Sequence, residues 1–478
     1  MTMGITFDDF YNSSPLVSLV IFALLTLVVE GLGKDKPVPS YWMSLLGVTV
    51  SLVLSFFHLG SGTPVFGGML FQGGFAGYCN LIFLTSAFLT ILISRGYLER
   101  MEYHRGEFYI LVMFATSGMM LMAGALNLIT VFLGIELMSV SLYVLAGFMR
   151  TKERANESAL KYFLLGAFAT GFLLYGIALI YGTSGSTDLL QIKEALPRIS
   201  HNPLFLIGCG LLVVAFSFKV SAVPFHMWAP DVYEGAPTPV SGFMSTGAKA
   251  AAFATFLLVF VRMFEIAGTS ISQVIAIVAA ASMIVGNVTA VAQSNVKRML
   301  AYSSVAHAGY MLSGVAAANS EGETGILFYL IVYTFMNIGA FGIVSWIEHQ
   351  DDKKLTFDDY AGLSARRPAV AAMMSIFMFS LAGIPPFAGF FGKYYVFLSA
   401  VKADMTWLAI VGVMTSLISV YYYLRLVVLM YFRDGEGDID KPVPLGSMFA
   451  VVVAAAFVVV LGIYPSLIVE ITRGFFKV

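Results

Sequence analysis

Runs of about 20 mainly apolar residues, long enough to cross a bilayer as a helix, follow one another along nearly the whole chain. Fourteen such spans are expected, the first starting near residue 14 and the last ending near 470, with no stretch between them that fits a soluble domain. Inside hydrocarbon a chain has to satisfy its own backbone N–H and C=O groups, which for runs of this length means α-helices. The residues are 59% hydrophobic and 12% charged, where soluble proteins carry about 25% charge. The expected class is an all-α polytopic membrane protein surrounded by the lipid bilayer. Twenty-seven basic residues balance 28 acidic ones without forming a basic patch, which argues against nucleic acid as a partner. Cys79 and Cys209 are the only cysteines, too few for an iron–sulfur cluster or a zinc site. The N-terminal MTMGITFDDF lacks a basic region, so the first apolar run is expected to be retained.

Basic residues divide unevenly between alternate loops, sixteen on one side and six on the other. The remaining five, Lys161, Lys219, Lys249, Lys393 and Arg425, lie in spans or at their edges. Positive charge collects on the cytoplasmic side of a membrane. An even number of spans then places both termini on the outer side.

One span looks interrupted. In FSFKVSAVPFHMWAPDVYEGAPTPV, residues 216–240, Lys219 follows an almost wholly apolar run and Pro224 comes five residues later. Proline removes a donor and frees carbonyls of the preceding turn. A charge and a broken helix at one depth fit a water-lined cavity, where both are tolerated. A lysine snorkelling to the interface beside an ordinary proline kink is the plainer alternative.

The chain also resembles itself. Tyr143-Val-Leu-Ala-Gly in the fifth span matches Tyr310-Met-Leu-Ser-Gly in the tenth at an offset of 167, and Pro224-Phe225 matches Pro386-Phe387 at 162. Loop-length changes absorb the difference. The matches relate spans 4–8 to spans 9–13, and a shift of five spans inverts every helix. Two inverted five-helix repeats with broken helices 7 and 12 are therefore expected, the pattern of two half-pathways opening to opposite sides. The organisation that follows is a three-helix segment over 1–106, repeats over 107–266 and 267–432, and a C-terminal loop and helix over 433–478.

Glu136, Lys219, Lys249 and Lys393 fall at mid-depth, where each costs about 2.5–3.5 kcal/mol on insertion scales. Burial disfavours an ammonium and a nearby carboxylate favours it, so a movable Glu136–Lys219 pair is suited to loading and releasing a proton. A structural ion pair is the alternative for Glu136. Lys393 follows its prolines whereas Lys219 precedes Pro224, and Ser303 stands where Glu136 stands in the first repeat. His226 and His307 could pass protons or simply pack through hydrogen bonds. Lys161, at the edge of the sixth span, either modulates Glu136 or snorkels; Arg425 is read as partnered or snorkelling, and Asp231 and Glu234 as a solvated turn, with a proton antenna as the alternative.

The runs GIELMSVSLYVLAGF, FKVSAVPFHMWAPDVYEGAPTPV, KRMLAYSSVAHAGYM and LAGIPPFAGFFGKYYVF resemble those of the antiporter-like membrane subunits of complex I, which are similar to subunits of multisubunit Na+/H+ antiporters. The likeness covers residues 107–431. It implies Glu136 as the fifth-span acid, Lys219 as the seventh-span lysine, Lys249 as the connecting lysine and Lys393 as the exit-side lysine. It further implies a proton-translocating NADH:quinone oxidoreductase in a bacterial inner membrane. In such a complex this chain binds no cofactor, and quinone, FMN and iron–sulfur clusters sit on partner subunits. The implied partners are the other antiporter-like subunits and the small membrane subunits. A Na+/H+ antiporter component is the alternative function.

Overall fold

The computed structural model describes residues 5–33, 37–60, 62–266, 268–348, 355–435 and 442–474. Lys34, Lys36, Lys353, Lys354, Lys441 and Lys477, which enter the loop-charge count, lie outside the described residues. Among the described residues, eleven helices are long and apolar enough to cross a membrane, and two shorter apolar helices cover Pro203–Lys219 and Pro368–Ala382. Among the described residues, one small antiparallel hairpin pairs Thr63–Val65 with Leu70–Gln72, in register Thr63↔Gln72 and Val65↔Leu70. Its turn runs through Gly67 and Gly68 with φ of 65° and 83°, a left-handed conformation in which glycine meets no steric penalty.

Polar residues in the loops set the helix starts. Asn127, Asn202, Asn295 and Asn319 each cap a helix by accepting a backbone N–H from its first turn, and Pro203 takes the first helical position. The apolar residues between such signals leave no cheaper way to satisfy the backbone than a helix.

Contacts divide the chain into two compact units. Unit 1 contains Met1–Ile91, His104–Val220 and Gly247–Ile271. At its centre Glu107–Gly124 packs on Leu128–Ala146 at backbone distance, since a Cβ on Gly118 would stand 2.5 Å from the Met138 nitrogen. Unit 2 contains Leu92–Tyr103, Ser221–Thr246 and Ser272–Val478. Its core is the long helix Ser320–Ile347, buried along almost its whole length. Ser270–Val291 and Val296–Ala317 approach each other as closely as the central pair of unit 1: a Cβ on Gly309 would stand 2.7 Å from the Ala279 carbonyl oxygen.

Two helices are interrupted. The first stops at Lys219, and an irregular stretch leads to the short helix Trp228–Gly235. The second stops at Ala382, turns through Gly383 at φ 84° and resumes as Ala388–Lys402. Both breaks carry a cis peptide bond, at Val223–Pro224 and Pro385–Pro386. A third irregularity lies in Thr238–Met263, where π-helical turns at Met244–Ala248 and Leu257–Met263 flank the α-helical Lys249–Phe256. Turns of this kind concentrate at functional positions.

Candidate functional site

Each unit holds its own group of buried polar side chains. In unit 1 Lys219 closes its half-helix, where the dipole favours a cation. Only 8% of it is exposed. Its ammonium donates to Ser139 Oγ at 2.7 Å and lies 5.8 Å from the centre of the Tyr143 ring and 5.6 Å from that of Phe218. A cation over an aromatic face recovers part of the hydration it has lost. Glu136 sits nearly one turn before Ser139 on the same helix, half-buried, and accepts a hydrogen bond from Thr170 Oγ1 at 2.7 Å. The expected Glu136–Lys219 pair is thus not a direct contact. Ser139 holds the ammonium and Thr170 holds the carboxylate.

Lys249 is 1% exposed, at the α-helical start between the two π-helical turns. Lys161 is bound to Glu157 at 2.7 Å, one turn away on its own helix, with both side chains substantially exposed. Of the unit 1 candidates, Lys219 and Lys249 are buried, Glu136 is partly so, and Lys161 is the most exposed.

In unit 2 the break is used directly. The helix end at Ala382 leaves a carbonyl without its intrahelical partner. Lys393 fills that need: its ammonium donates to the Ala382 carbonyl oxygen at 2.9 Å and to Ser416 Oγ at 2.8 Å, and stands 5.0 Å from the centre of the Tyr310 ring. Gly383 makes room, since a Cβ there would lie 3.0 Å from the Lys393 side chain.

From Tyr310 a chain of neutral groups continues. Asn287 Nδ2 donates to the Tyr310 hydroxyl at 2.8 Å, and the Tyr422 hydroxyl donates to Asn287 Oδ1 at 2.9 Å. The rings of Tyr422 and Tyr423 touch at 4.4 Å between centroids. The Tyr423 hydroxyl meets His307 Nε2 at 3.0 Å and is hydrogen-bonded to Ser303, while His307 Nδ1 meets the Tyr329 hydroxyl at 2.7 Å. The hydroxyls and the imidazole can each donate and accept, whereas the Asn287 amide donates only from Nδ2 and accepts only at Oδ1, and Tyr422 meets Tyr423 through their rings.

His307 is therefore central, 1% exposed and bonded at both ring nitrogens. His226 is half-buried in the irregular stretch after Pro224 and joins none of these bonds. The tyrosines and Asn287 escaped sequence reasoning because, inside apolar spans, they read as packing. Ser303 did leave a signal, as the residue aligned with Glu136. One charged pair was also missed: Lys297, counted above among loop bases, is buried against Glu348.

Residues 125–419 match the family described as NADH:quinone oxidoreductase/Mrp antiporter, transmembrane. NADH-quinone oxidoreductase subunit N of Trichlorobacter lovleyi is 48% identical across 96% of this chain and 94% of that protein. Subunit N 1 of Chloroherpeton thalassium is 46% identical across 98% of both chains. Among solved structures, a chain of respiratory complex I from Thermus thermophilus superposes with a TM-score of 0.84 at 35% identity, covering 95% of this chain and 98% of that one. A chain of the Mrp complex from Dietzia shares the fold, with a TM-score of 0.86 at 19% identity, covering 97% of this chain and 96% of that one. With the match spanning more than half of its residues and such relatives spanning nearly all of them, the chain belongs to the NADH:quinone oxidoreductase/Mrp antiporter transmembrane family, on the side of its subunit N members.

Proposed function

We propose that this chain is a proton-translocating membrane-arm subunit of a respiratory NADH:quinone oxidoreductase. Protons cross through Glu136, Lys219, Lys249, His307 and Lys393, driven by quinone reduction in neighbouring subunits. Lys161 and His226 stand at the flanks of this relay. Quinone, FMN and iron–sulfur clusters belong to those partner subunits, and this chain carries no redox step of its own. The observation that carries the reading is that each unit buries an ammonium beside a helix break and bonds it to hydroxyls: Lys219 to Ser139, and Lys393 to Ser416 and the Ala382 carbonyl. An ammonium that loses its proton in such a place keeps its hydrogen-bond partners, so both protonation states are accommodated.

In this reading the eleven long helices are joined by Pro203–Lys219, Val296–Ala317 and the interrupted Pro368–Lys402 to make fourteen crossings. Both termini then lie on the periplasmic side of a bacterial inner membrane. Residues 107–266 and 267–432 are inverted repeats. The glycine-mediated approach of a helix pair in each supports the relation, as does an interrupted helix in each.

The deciding measurement is NADH-driven proton uptake by inverted membrane vesicles from Lys219→Ala and Glu136→Gln strains, with assembly of the complex checked in the same membranes. Uptake is expected to be lost from an assembled complex, and normal uptake from both variants would refute the relay. Membership of a family that includes Mrp antiporters keeps a second reading, a Na+/H+ antiporter component. Co-purification with flavin and iron–sulfur proteins separates the two, because only the respiratory subunit travels with them.

A further inference from the structure

Glu136 has no counterpart at Ser303, so the second half lacks an acid where the first has one. Unit 2 nevertheless buries a carboxylate elsewhere. Glu348, just beyond the C-terminal end of Ser320–Ile347, lies 3.6 Å from the Nζ of Lys297 in the first turn of Val296–Ala317, with side chains 2% and 1% exposed. Each charge has a second, neutral partner at the junction between Trp228–Gly235 and Thr238–Met263. Thr238 Oγ1 donates to Glu348, and Lys297 donates to the Ala236 carbonyl oxygen at 2.9 Å. Taking two charges out of water is costly, and a pair held only to tie down this junction gains little over apolar packing.

Around the pair stand the Tyr360 hydroxyl, within electrostatic reach of Glu348, and Arg100, bonded to the Ser345 carbonyl one turn before it. Deeper along the same face of Ser320–Ile347 come Asn337 and Tyr333, whose buried Oδ1 and hydroxyl have no hydrogen-bond partner of good geometry among the described residues. Buried polar atoms of that kind are where internal water is held. Tyr333 in turn packs against the His307 ring at 5.1 Å between centroids. His307 itself lies ten residues beyond Lys297, about 15 Å along the helix.

We infer that Lys297 and Glu348 form a second proton-loading pair, serving the His307 and Lys393 group of unit 2 as Glu136 and Lys219 serve unit 1. In the step, the proton leaves Nζ of Lys297 for a carboxylate oxygen of Glu348; one N–H bond breaks, one O–H bond forms, and the amine keeps its lone pair. The pair is neutral in sum before and after. The gap of 3.6 Å exceeds a good N–H···O distance, so transfer waits on the side chains closing or on one bridging water. The amine then regains a proton from the aqueous side, and the Glu348 proton passes inward by way of Asn337, Tyr333 and their waters.

The inference rests on the proposed function, so its test runs on the assembled complex in inverted vesicles beside Lys219→Ala. Glu348→Gln and Lys297→Met are each expected to lower the rate of NADH-driven proton uptake by about 100-fold or more, the scale of losing a proton-transfer group. The double variant Lys297→Met/Glu348→Gln leaves no unpaired buried charge. It is expected to assemble and still fail to pump, and wild-type uptake from it would show that the pair needs only to be balanced, which overturns the inference. Glu348→Asp keeps the carboxyl and widens the gap; slower uptake with a displaced pH profile is expected, and a wild-type rate and profile would also overturn it. If Lys219→Ala pumps normally, the proposed function itself fails. If Lys219→Ala is dead while the double variant pumps, only the role of this pair fails.

Discussion

The two units handle a buried ammonium in opposite ways. In unit 1 Lys219 stands at the end of a half-helix and leans on one serine and two ring faces, with a carboxylate nearly one turn beyond that serine. In unit 2 Lys393 sits past the break, takes the carbonyl freed there and faces a string of tyrosines, an asparagine and a histidine. The first arrangement has an opposite charge within electrostatic reach of its lysine. The second surrounds it with neutral groups that donate and accept alike. A site of the first kind should respond most to changes of charge, and a site of the second kind to loss of single hydroxyls.

The largest effects test whether both lysines are needed at all. Lys219→Ala and Lys393→Ala should each reduce proton uptake by about 100-fold or more, the range expected for a positioned proton carrier. Retained pumping by either variant in an assembled complex would leave one unit idle and dissolve the comparison. Next comes the contrast in hydroxyls. Tyr423→Phe removes the group shared by Ser303 and His307 and should cost about tenfold. Tyr143→Phe keeps the ring that faces Lys219 and should cost about twofold at most. Equal losses from the two would break the distinction.

Packing sharpens the likeness of the two units in turn. Gly118→Leu in unit 1 and Gly309→Leu in unit 2 force a side chain against backbone, and each should destabilise the protein by about 1–3 kcal/mol, read as a lower midpoint of thermal inactivation in detergent. The smallest effect is expected at Lys161. Its partner Glu157 is exposed and a turn away, a pair worth about 0.3–0.5 kcal/mol, so Lys161→Ala should change uptake by no more than about threefold. A complete loss there would move the unit 1 relay outward to the membrane edge.

Much of this was legible along the chain. Apolar length announced the helices, and asparagine and proline marked where several begin. Pro224 and the Pro385-Pro386 pair marked the two interruptions. The cost of mid-depth charge singled out Lys219, Lys249 and Lys393, all of which are buried. Less legible were the partners. Nothing in the spacing of Ser139, Thr170 or Ser416 separates them from the many serines and threonines that bond their own helices. Tyr310, Tyr329, Tyr422 and Tyr423 sit in apolar runs where an aromatic ring packs by default. Lys297 read as a loop base because a lysine at a helix start ordinarily reaches water, and only the fold brings Glu348 against it.

The sequence alone determined that this chain lives in a membrane, that its interior holds charges, and that two of its helices are broken, because hydrophobic length, ionisation and proline geometry are local properties of residues. The tertiary structure decided which hydroxyl meets which ammonium, that Thr170 binds Glu136, and that His307 is bonded at both nitrogens. Those outcomes depend on how distant helices pack and turn against one another, which no single stretch of sequence encodes.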